Sequence, residues 1–445
     1  MVITKRGLVL SAAAVVLTAV TLANTGCSSK SLASFRGSPK ELVDEVWQII
    51  DKSYVDGTFN QVDWKAVRND YLNRTYGTDE EAYKAIREML KKLDDPYTRF
   101  MNPEEFKNMQ VDTSGELTGV GIQLTQDEQT KKLVVISPIE DTPAFNAGIQ
   151  AKDIISKIDG KSTEGMDTNQ AVNLIRGQVN TEVTLTIVRK NKEIEFKLKR
   201  AKIEIHPVRH SVQKSPIGEI GYIRLNQFSA NAASEMRSSM QDLEKKKVTG
   251  YILDLRSNPG GLLYGSIEIA RMWLQEGTIV STVDRVGEAD RQTANKKAIT
   301  DKPLVILVDG GSASASEILS GALQDNKRGV LVGTKTFGKG LVQSVRSVGN
   351  GSGLAVTIAK YFTPSGRDIN HLGIEPDFKV ELTDAQKQDL RSDRDKIGTK
   401  ADPQYAKALE VLTKKVTGKT GSLKAESPPK AAQSKTTNTQ SKPSK

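Results

Sequence analysis

The sequence predicts an α/β protein built around a buried parallel sheet, with a helical region before it and a strand-rich region interrupting the two. Three observations carry this. Tyr251-Ile252-Leu253-Asp254-Leu255 and Leu304-Val305-Ile306-Leu307-Val308 are apolar runs of the kind that form strands covered on both faces, and a helical pattern follows each. Residues 38–110 carry apolar side chains at helical spacing. From residue 111 to about 200 the texture changes to short strands and glycine turns.

Taken in order, Lys5 and Arg6 precede an uncharged, apolar-rich run from Gly7 to Ala23. This is the n-region and h-region of a secretory signal peptide, expected over residues 1–33, and its Ala and Thr content makes it weakly apolar for a membrane span. Cys27 after Thr25-Gly26 resembles a lipoprotein cleavage site, and Ser31-Leu32-Ala33 offers another; both stay open. The helical region, 34–110, opens with Ser38-Pro39-Lys40-Glu41, a capping box with proline at the first helical position. Thr78 with Glu81 and Asn102-Pro103-Glu104-Glu105 mark two more helix starts. Their apolar stripes are core-packing faces.

The region 111–200 places Thr118-Gly119-Val120-Gly121-Ile122 directly before an apolar strand. Glycines there can present successive backbone N–H groups to a carboxylate, although a hairpin turn explains a lone GxG equally well. Residues 201–385 alternate strands and helices, an arrangement in which sites gather at the carboxyl ends of the strands. Residues 386–417 read as a helical segment. From 418 to 445 the chain turns to Lys, Ser, Thr, Asn and Gln and is expected to be a disordered tail.

The chain has 445 residues, about three domains at roughly 150 each, and a net charge of +10. That charge sits at the ends. The first 26 residues and the tail hold most of it, so the body lacks the one-sided basic footprint of a nucleic-acid binder. A single Cys excludes an intrachain disulfide and any multi-cysteine metal site.

Candidate chemistry gathers after the second buried strand, at Gly310-Gly311-Ser312-Ala313-Ser314-Ala315-Ser316-Glu317. A serine on a strand-to-helix turn projects its hydroxyl at the sheet edge, where N–H groups at the helix start can stabilise an oxyanion. The same residues would also make a good helix cap. Composition does not separate the three serines. Gly333-Thr334-Lys335-Thr336-Phe337-Gly338-Lys339-Gly340 imitates a phosphate-binding loop, yet Gly340 stands where its hydroxyl belongs and the following Leu341–Val348 alternates like a strand. A lysine on a glycine loop has another use. Desolvated, it becomes neutral and can take a serine proton, and Gln343 four residues on could orient the amine. The histidines fit that role less well: Pro207 separates His206 from His210, and His371 lies in a turn.

Val120-Gly121-Ile122, Ser137-Pro138 through Pro143-Ala144, Ala147-Gly148-Ile149, Asp153-Ile154-Ile155 and Ile158-Asp159-Gly160 together resemble a PDZ domain. The resemblance implies that the loop of Gly119, Val120, Gly121 and Ile122 binds a C-terminal carboxylate while the ligand adds as a strand. Over residues 40–385 the chain resembles the C-terminal processing peptidases, tail-specific serine proteases. The motifs are Leu93-Asp94-Asp95-Pro96-Tyr97-Thr98, Gly221-Tyr222-Ile223-Arg224, Leu253 through Gly261, Ser312 through Glu317, and Phe337-Gly338-Lys339-Gly340.

That resemblance implies a ClpP/crotonase-like α/β core with an inserted PDZ domain. It implies Ser314 as nucleophile, Lys339 as general base and Gln343 as its orienting partner. It further implies an oxyanion hole from Gly260 and Ala315, with Asp254, Arg256 and Glu317 in support. No metal, nucleotide or other cofactor is needed. The expected activity is a Ser–Lys endopeptidase that cleaves near the C-terminus of exported or lumenal proteins with exposed apolar tails, in a periplasm or thylakoid lumen. Relatives of this kind include enzymes that trim a photosystem II reaction-centre precursor. The basic tail and a lipidated Cys27 are two routes to membrane-surface association. The rival reading is a non-catalytic PDZ adaptor that captures C-termini.

Overall fold

Both faces of the central sheet are covered in the computed structural model, which describes residues 38–127, 130–139, 141–287 and 289–418. The expected export segment with Cys27, and the expected tail beyond Gly418, lie outside the described residues.

The N-terminal region is α1 (Pro39–Ser53), α2 (Trp64–Leu72), α3 (Asp79–Lys91), β1 (Arg99–Met101) and α4 (Pro103–Ser114). The Ser38–Glu41 and Asn102–Glu105 boxes close as expected, each with its side chain and backbone bonded reciprocally. Leu42, Val46 and Ile50 of α1 meet Ile86 and Met89 of α3 in a core that also takes in Val348, Leu354 and Val356 from far along the chain. These helices are therefore packed into the rest of the molecule.

Next come β2 (Glu116–Gly119), β3 (Ile122–Gln126), β4 (Leu133–Pro138), α5 (Pro143–Asn146), β5 (Ile154–Ile158), β6 (Lys161–Ser162), α6 (Thr168–Ile175), β7 (Glu182–Arg189), β8 (Lys192–Lys199) and β9 (Ala201–Glu204). The sheet order β3-β4-β5-β7-β8 leaves β3 at an edge. Leu133, Val135, Ile155, Leu185 and Ile187 fill the core of this unit. Its entry and exit strands, β2 and β9, pair antiparallel from Glu116↔Glu204 to Gly119↔Ala201, so the unit is an insertion.

The remaining elements are β10 (Val208–Ser215), β11 (Gly218–Leu225), α7 (Ala232–Lys245), β12 (Tyr251–Asp254), α8 (Leu263–Trp273), β13 (Thr278–Val283), β14 (Ala289–Thr293), β15 (Leu304–Val308), α9 (Ala315–Asp325), β16 (Val330–Gly333), β17 (Leu341–Ser347), β18 (Gly353–Phe362), β19 (Phe378–Lys379), α10 (Asp384–Ser392) and α11 (Pro403–Thr417). The main sheet runs β10-β11-β12-β15-β16-β19 and is parallel from β11 onward. Because side chains alternate along a strand, Leu253 and Ile306 face α7, α8 and α9, whereas Ile252, Val305 and Leu307 face Tyr405, Leu409 and Leu412 of α11. This accounts for strands that read as unbroken apolar runs. A second sheet joins β1, β18, β13 and β14, with β17 also on β18; it brings the N-terminal strand against the C-terminal half.

Candidate active site

Strand β15 ends at Val308, and the Asp309–Ser314 turn feeds α9. Here the three serines separate. Ser312 is fully buried and donates its hydroxyl to the carbonyl of Leu255 at 2.9 Å. Ser316, equally buried, donates to the carbonyl of Asn258 at 2.9 Å. Both are mortar between β15 and the loop after β12. Ser314 alone is partly exposed, and its backbone sits at φ 53°, ψ −112°, where a residue with a Cβ is strained.

Glu317, one turn into α9, is completely buried and joins this turn to the lysine loop. Its carboxylate accepts the N–H groups of Ser314 (2.9 Å), Gly338 (2.7 Å) and Lys339 (2.9 Å) and the hydroxyl of Thr336 (2.5 Å). The backbone clasp is tightened by Tyr361 of β18, whose hydroxyl lies between the carbonyl oxygens of Ser314, at 3.2 Å, and Lys339. Gly338, at φ 92°, lets the loop pass against the His371–Gly373 turn; a Cβ there would meet Gly373 N at 3.0 Å. As expected of a segment unlike a P-loop, Leu341–Ser347 is a strand.

The Lys339 side chain is half-buried. Burial holds its amine below the usual lysine range and the charge of Arg99 adds to this, with Asp95 and Glu317 opposing. Its Nζ lies 4.6 Å from the centroid of the Tyr97 ring. Gln343 differs from expectation: its amide points to Thr357 Oγ1 at 3.5 Å, a long contact, and among the described residues no hydrogen bond joins it to Lys339.

Gly260 and Ala315, the expected oxyanion donors, lie where two loops meet. The N–H of Gly260 donates to Asn258 Oδ1 at 2.9 Å and is buried, so it is committed within its own loop. Asn258 in turn donates to the carbonyl of Leu225 at 2.8 Å, which fixes the turn. Gly261 is exposed, and its bridge to Phe228 uses the carbonyl of Gly260 and the N–H of Leu262, leaving the N–H of Gly261 facing away from Phe228. Among the described residues neither Gly261 N–H nor Ala315 N–H has an acceptor. The two loops touch here, since a Cβ on Gly260 would lie 3.0 Å from both Ala315 N and Ser314 Cβ.

Asp254 and Arg256 support this loop from beneath. Arg256 grips Asp254 through Nε (3.0 Å) and a terminal nitrogen (2.7 Å), and Tyr222 donates to the same carboxylate at 2.7 Å. Burial alone would push the Asp254 carboxyl up, but the charge and hydrogen bonds of Arg256 hold it below the usual carboxylate range. The far side of the guanidinium reaches Asp402, at 2.7 Å, and Gln404, at 3.0 Å. These α11 residues, like Tyr361, escaped sequence reasoning because no motif links them to the site. His206 and His210 pair instead with Glu235 (2.8 Å) and Asp242 (3.0 Å) of α7, and among the described residues no imidazole bonds to Ser314.

In the inserted unit, Gly121 has φ 80°, and a Cβ there would meet Thr142 at 2.3 Å. Gly119 is roomy by comparison, with Leu117 at 3.6 Å. The carbonyls of Val120 and Gly121 accept from Ala144 (2.9 Å) and Ile139 (2.8 Å), which pins the loop at the head of the open β3 edge. Helix α6 flanks that edge. It also anchors the unit to α4, through Arg176 and Asn108 at 2.7 Å.

Comparison with known proteins matches residues 219–380 to peptidase family S41, residues 134–189 to the PDZ domain and residues 38–91 to the tricorn protease C1 domain. A carboxyl-terminal-processing protease of Synechocystis sp. is 48% identical over 377 residues, covering 84% of this chain and 87% of that one. Carboxyl-terminal-processing peptidase 3 of Arabidopsis thaliana, chloroplastic, is 38% identical over 350 residues, covering 75% and 67%. Among solved structures, a photosystem II D1 C-terminal processing protease superposes with a TM-score of 0.55 at 36% identity, covering 83% of this chain and all of that one.

Proposed function

Because the chain belongs to peptidase family S41, among its carboxyl-terminal-processing proteases, we propose that Ser314 is its nucleophile and Lys339 the general base. Its substrates are proteins. The observation that carries the assignment is the separation of the serines: Ser312 and Ser316 are buried in structural bonds, while Ser314 stands on a strained turn clasped to the Lys339 loop by Glu317.

In the proposed reaction Ser314 Oγ attacks the scissile carbonyl and its proton passes to the neutral Lys339 amine. The N–H groups of Ala315 and Gly261 receive the developing oxyanion. The leaving amine takes the proton back from the Lys339 ammonium, and water then hydrolyses the acyl-enzyme. For this transfer the Lys339 amine must leave the ring of Tyr97, and Gln343 must turn from Thr357 to support it.

The inserted unit would present the substrate. A C-terminal tail adds to the open edge of β3 beside α6, with its carboxylate on the Gly119–Ile122 loop. We further propose that the enzyme acts on exported or lumenal proteins, with a photosystem II reaction-centre precursor as the first candidate; the cyanobacterial and chloroplastic relatives support this. Weak membrane-surface attachment through the basic tail or a lipidated Cys27 belongs to the same reading. Co-sedimentation with anionic vesicles, with and without residues 418–445, tests the tail, and equal binding at low salt would remove it.

The central test is cleavage of an unfolded, apolar-tailed protein by Ser314→Ala and Lys339→Ala. Each should abolish activity with the melting temperature nearly unchanged, and Lys339→Arg should be equally inactive because a guanidinium does not deprotonate. Near-full activity in Lys339→Ala, or loss on mutating His206, His210 or His371 instead, would overturn the dyad.

A further inference from the structure

Tyr97 comes from the N-terminal region, outside the segment that matches the peptidase family, yet its ring lies under the Lys339 amine at 4.6 Å. Its position is built. Asp95 accepts the N–H of Tyr97 at 2.9 Å and the hydroxyl of Thr98 at 2.7 Å, closing a tight turn around Pro96. Thr98, itself buried, then accepts the N–H of Thr357 at 3.0 Å, which fastens the turn to β18. Strand β18 also carries Tyr361, whose hydroxyl reaches the backbone carbonyl of Lys339. One strand thus fixes both the ring and the backbone of the lysine it faces.

The charged groups around the amine come from three elements. Arg99 on β1 disfavours an ammonium, and Asp95 in the turn and Glu317 on α9 favour one. The carboxylate of Glu317 is already engaged by three backbone N–H groups and a hydroxyl. The hydroxyl of Tyr361 faces the carbonyl of Lys339 rather than its amine. Among the described residues the amine has no hydrogen-bonding acceptor, and the ring face is its recorded contact.

A ring face attracts a cation through its quadrupole and has no comparable hold on a neutral amine. The contact therefore depends on the protonation state that decides whether the lysine can act as a base. We propose that Tyr97 is a positioning residue for Lys339: its ring holds the protonated side chain away from the nucleophile and releases it when the proton is lost. Charge and position are then coupled, and a lysine that cannot accept a proton is also kept out of the way. This rests on Lys339 being the base.

The test is kcat/KM against pH for the full chain and its Tyr97→Phe, Tyr97→Leu and Tyr97→Trp variants, with a fixed protein substrate. Removing the ring removes the stabilisation of the ammonium, so Tyr97→Leu should move the acid limb down by about half to one pH unit. Tyr97→Trp, with the stronger quadrupole, should move it up, and Tyr97→Phe should leave it near the wild-type position. The position of the limb is the readout, and the height of the plateau is not. A purely structural role would lower the plateau and leave the limb in place. Should Tyr97→Leu fail to fold, the comparison of Tyr97→Trp with Tyr97→Phe decides by itself. A limb unmoved across the folded variants, with Lys339→Ala inactive, overturns this proposal alone. Activity retained in Lys339→Ala removes the base assignment and this proposal with it.

Discussion

Arg256, beside the Asp309–Ser314 turn, and Asp402, at the start of the last described helix, form a buried ion pair at 2.7 Å. The guanidinium lies between Asp402 and Asp254, so the end of β12 and the N-terminus of α11 are held by one side chain. The residue that supports the glycine loop is thereby supported from 146 positions further along the chain.

Asp402→Ala should destabilise the protein by about 3–5 kcal/mol, because it leaves one buried partner of a charge cluster without its counterpart. Urea unfolding would show it as a lower midpoint. Acid should probe the same cluster. The Asp254 carboxyl is held below its ordinary range in the folded state, so its contribution is present above about pH 4 and is lost as pH falls through the folded value. Asp254→Asn, which removes that titrating group, should therefore lose less of its remaining stability between pH 5 and pH 2 than the wild type.

Asn258→Ala should lower kcat about ten- to a hundredfold with a smaller change in KM. The side chain holds the Gly260 turn and so aims the neighbouring Gly261 N–H, which in the proposed reaction is needed only as the oxyanion forms. A rise in KM with kcat unchanged would point to substrate binding instead.

Activity should rise with pH. A lysine base works only when neutral, and burial followed by the Arg99 charge pulls Lys339 below its ordinary value, so the limb belongs below about pH 10.4. A steady fall in kcat/KM from pH 6 to pH 9, with the protein folded, would contradict it.

Substrates ending in a free acid should be cleaved about ten- to a hundredfold more efficiently than matched amides, since a charge-assisted hydrogen bond contributes roughly 1.5–3 kcal/mol. Gly119→Leu should mimic the amide: a Cβ at this buried position is tolerated, with Leu117 at 3.6 Å, while the rest of the side chain would crowd the loop. Gly121 is the poorer choice, because a Cβ there would drive into Thr142 and disturb the unit itself. Equal rates on the two substrates would remove tail reading.

Local signals recover what is local. The capping residues Ser38, Thr78 and Asn102, the apolar runs of β12 and β15, and the strand after the lysine loop could all be read from neighbours in the chain. Periodicity left Ser312, Ser314 and Ser316 equivalent. Burial separates them, and burial depends on the loop after β12, more than fifty positions away. The Gly260–Gly261 distinction likewise turns on one side-chain bond from Asn258. Tyr361 and Asp402 were beyond reach for the same reason, and Tyr97 stood in a motif without a role: each meets the site through pairing between distant strands or helices.

The antiparallel ribbon of β2 and β9 has a consequence for how such an enzyme is assembled and altered. Gly119 and Ala201 are register partners, so the chain leaves the protease and returns to it across the width of one strand pair, about 5 Å. A cassette mounted on such a two-strand stalk imposes almost no geometric demand on its host. Replacing residues 120–200 by a short Asn-Gly hairpin would cap the stalk at little loop-closure cost and leave every strand of the main sheet in register. If the inserted unit reads the substrate as proposed, a different reader could be mounted on the same stalk, and the choice of substrate is then separable from the chemistry.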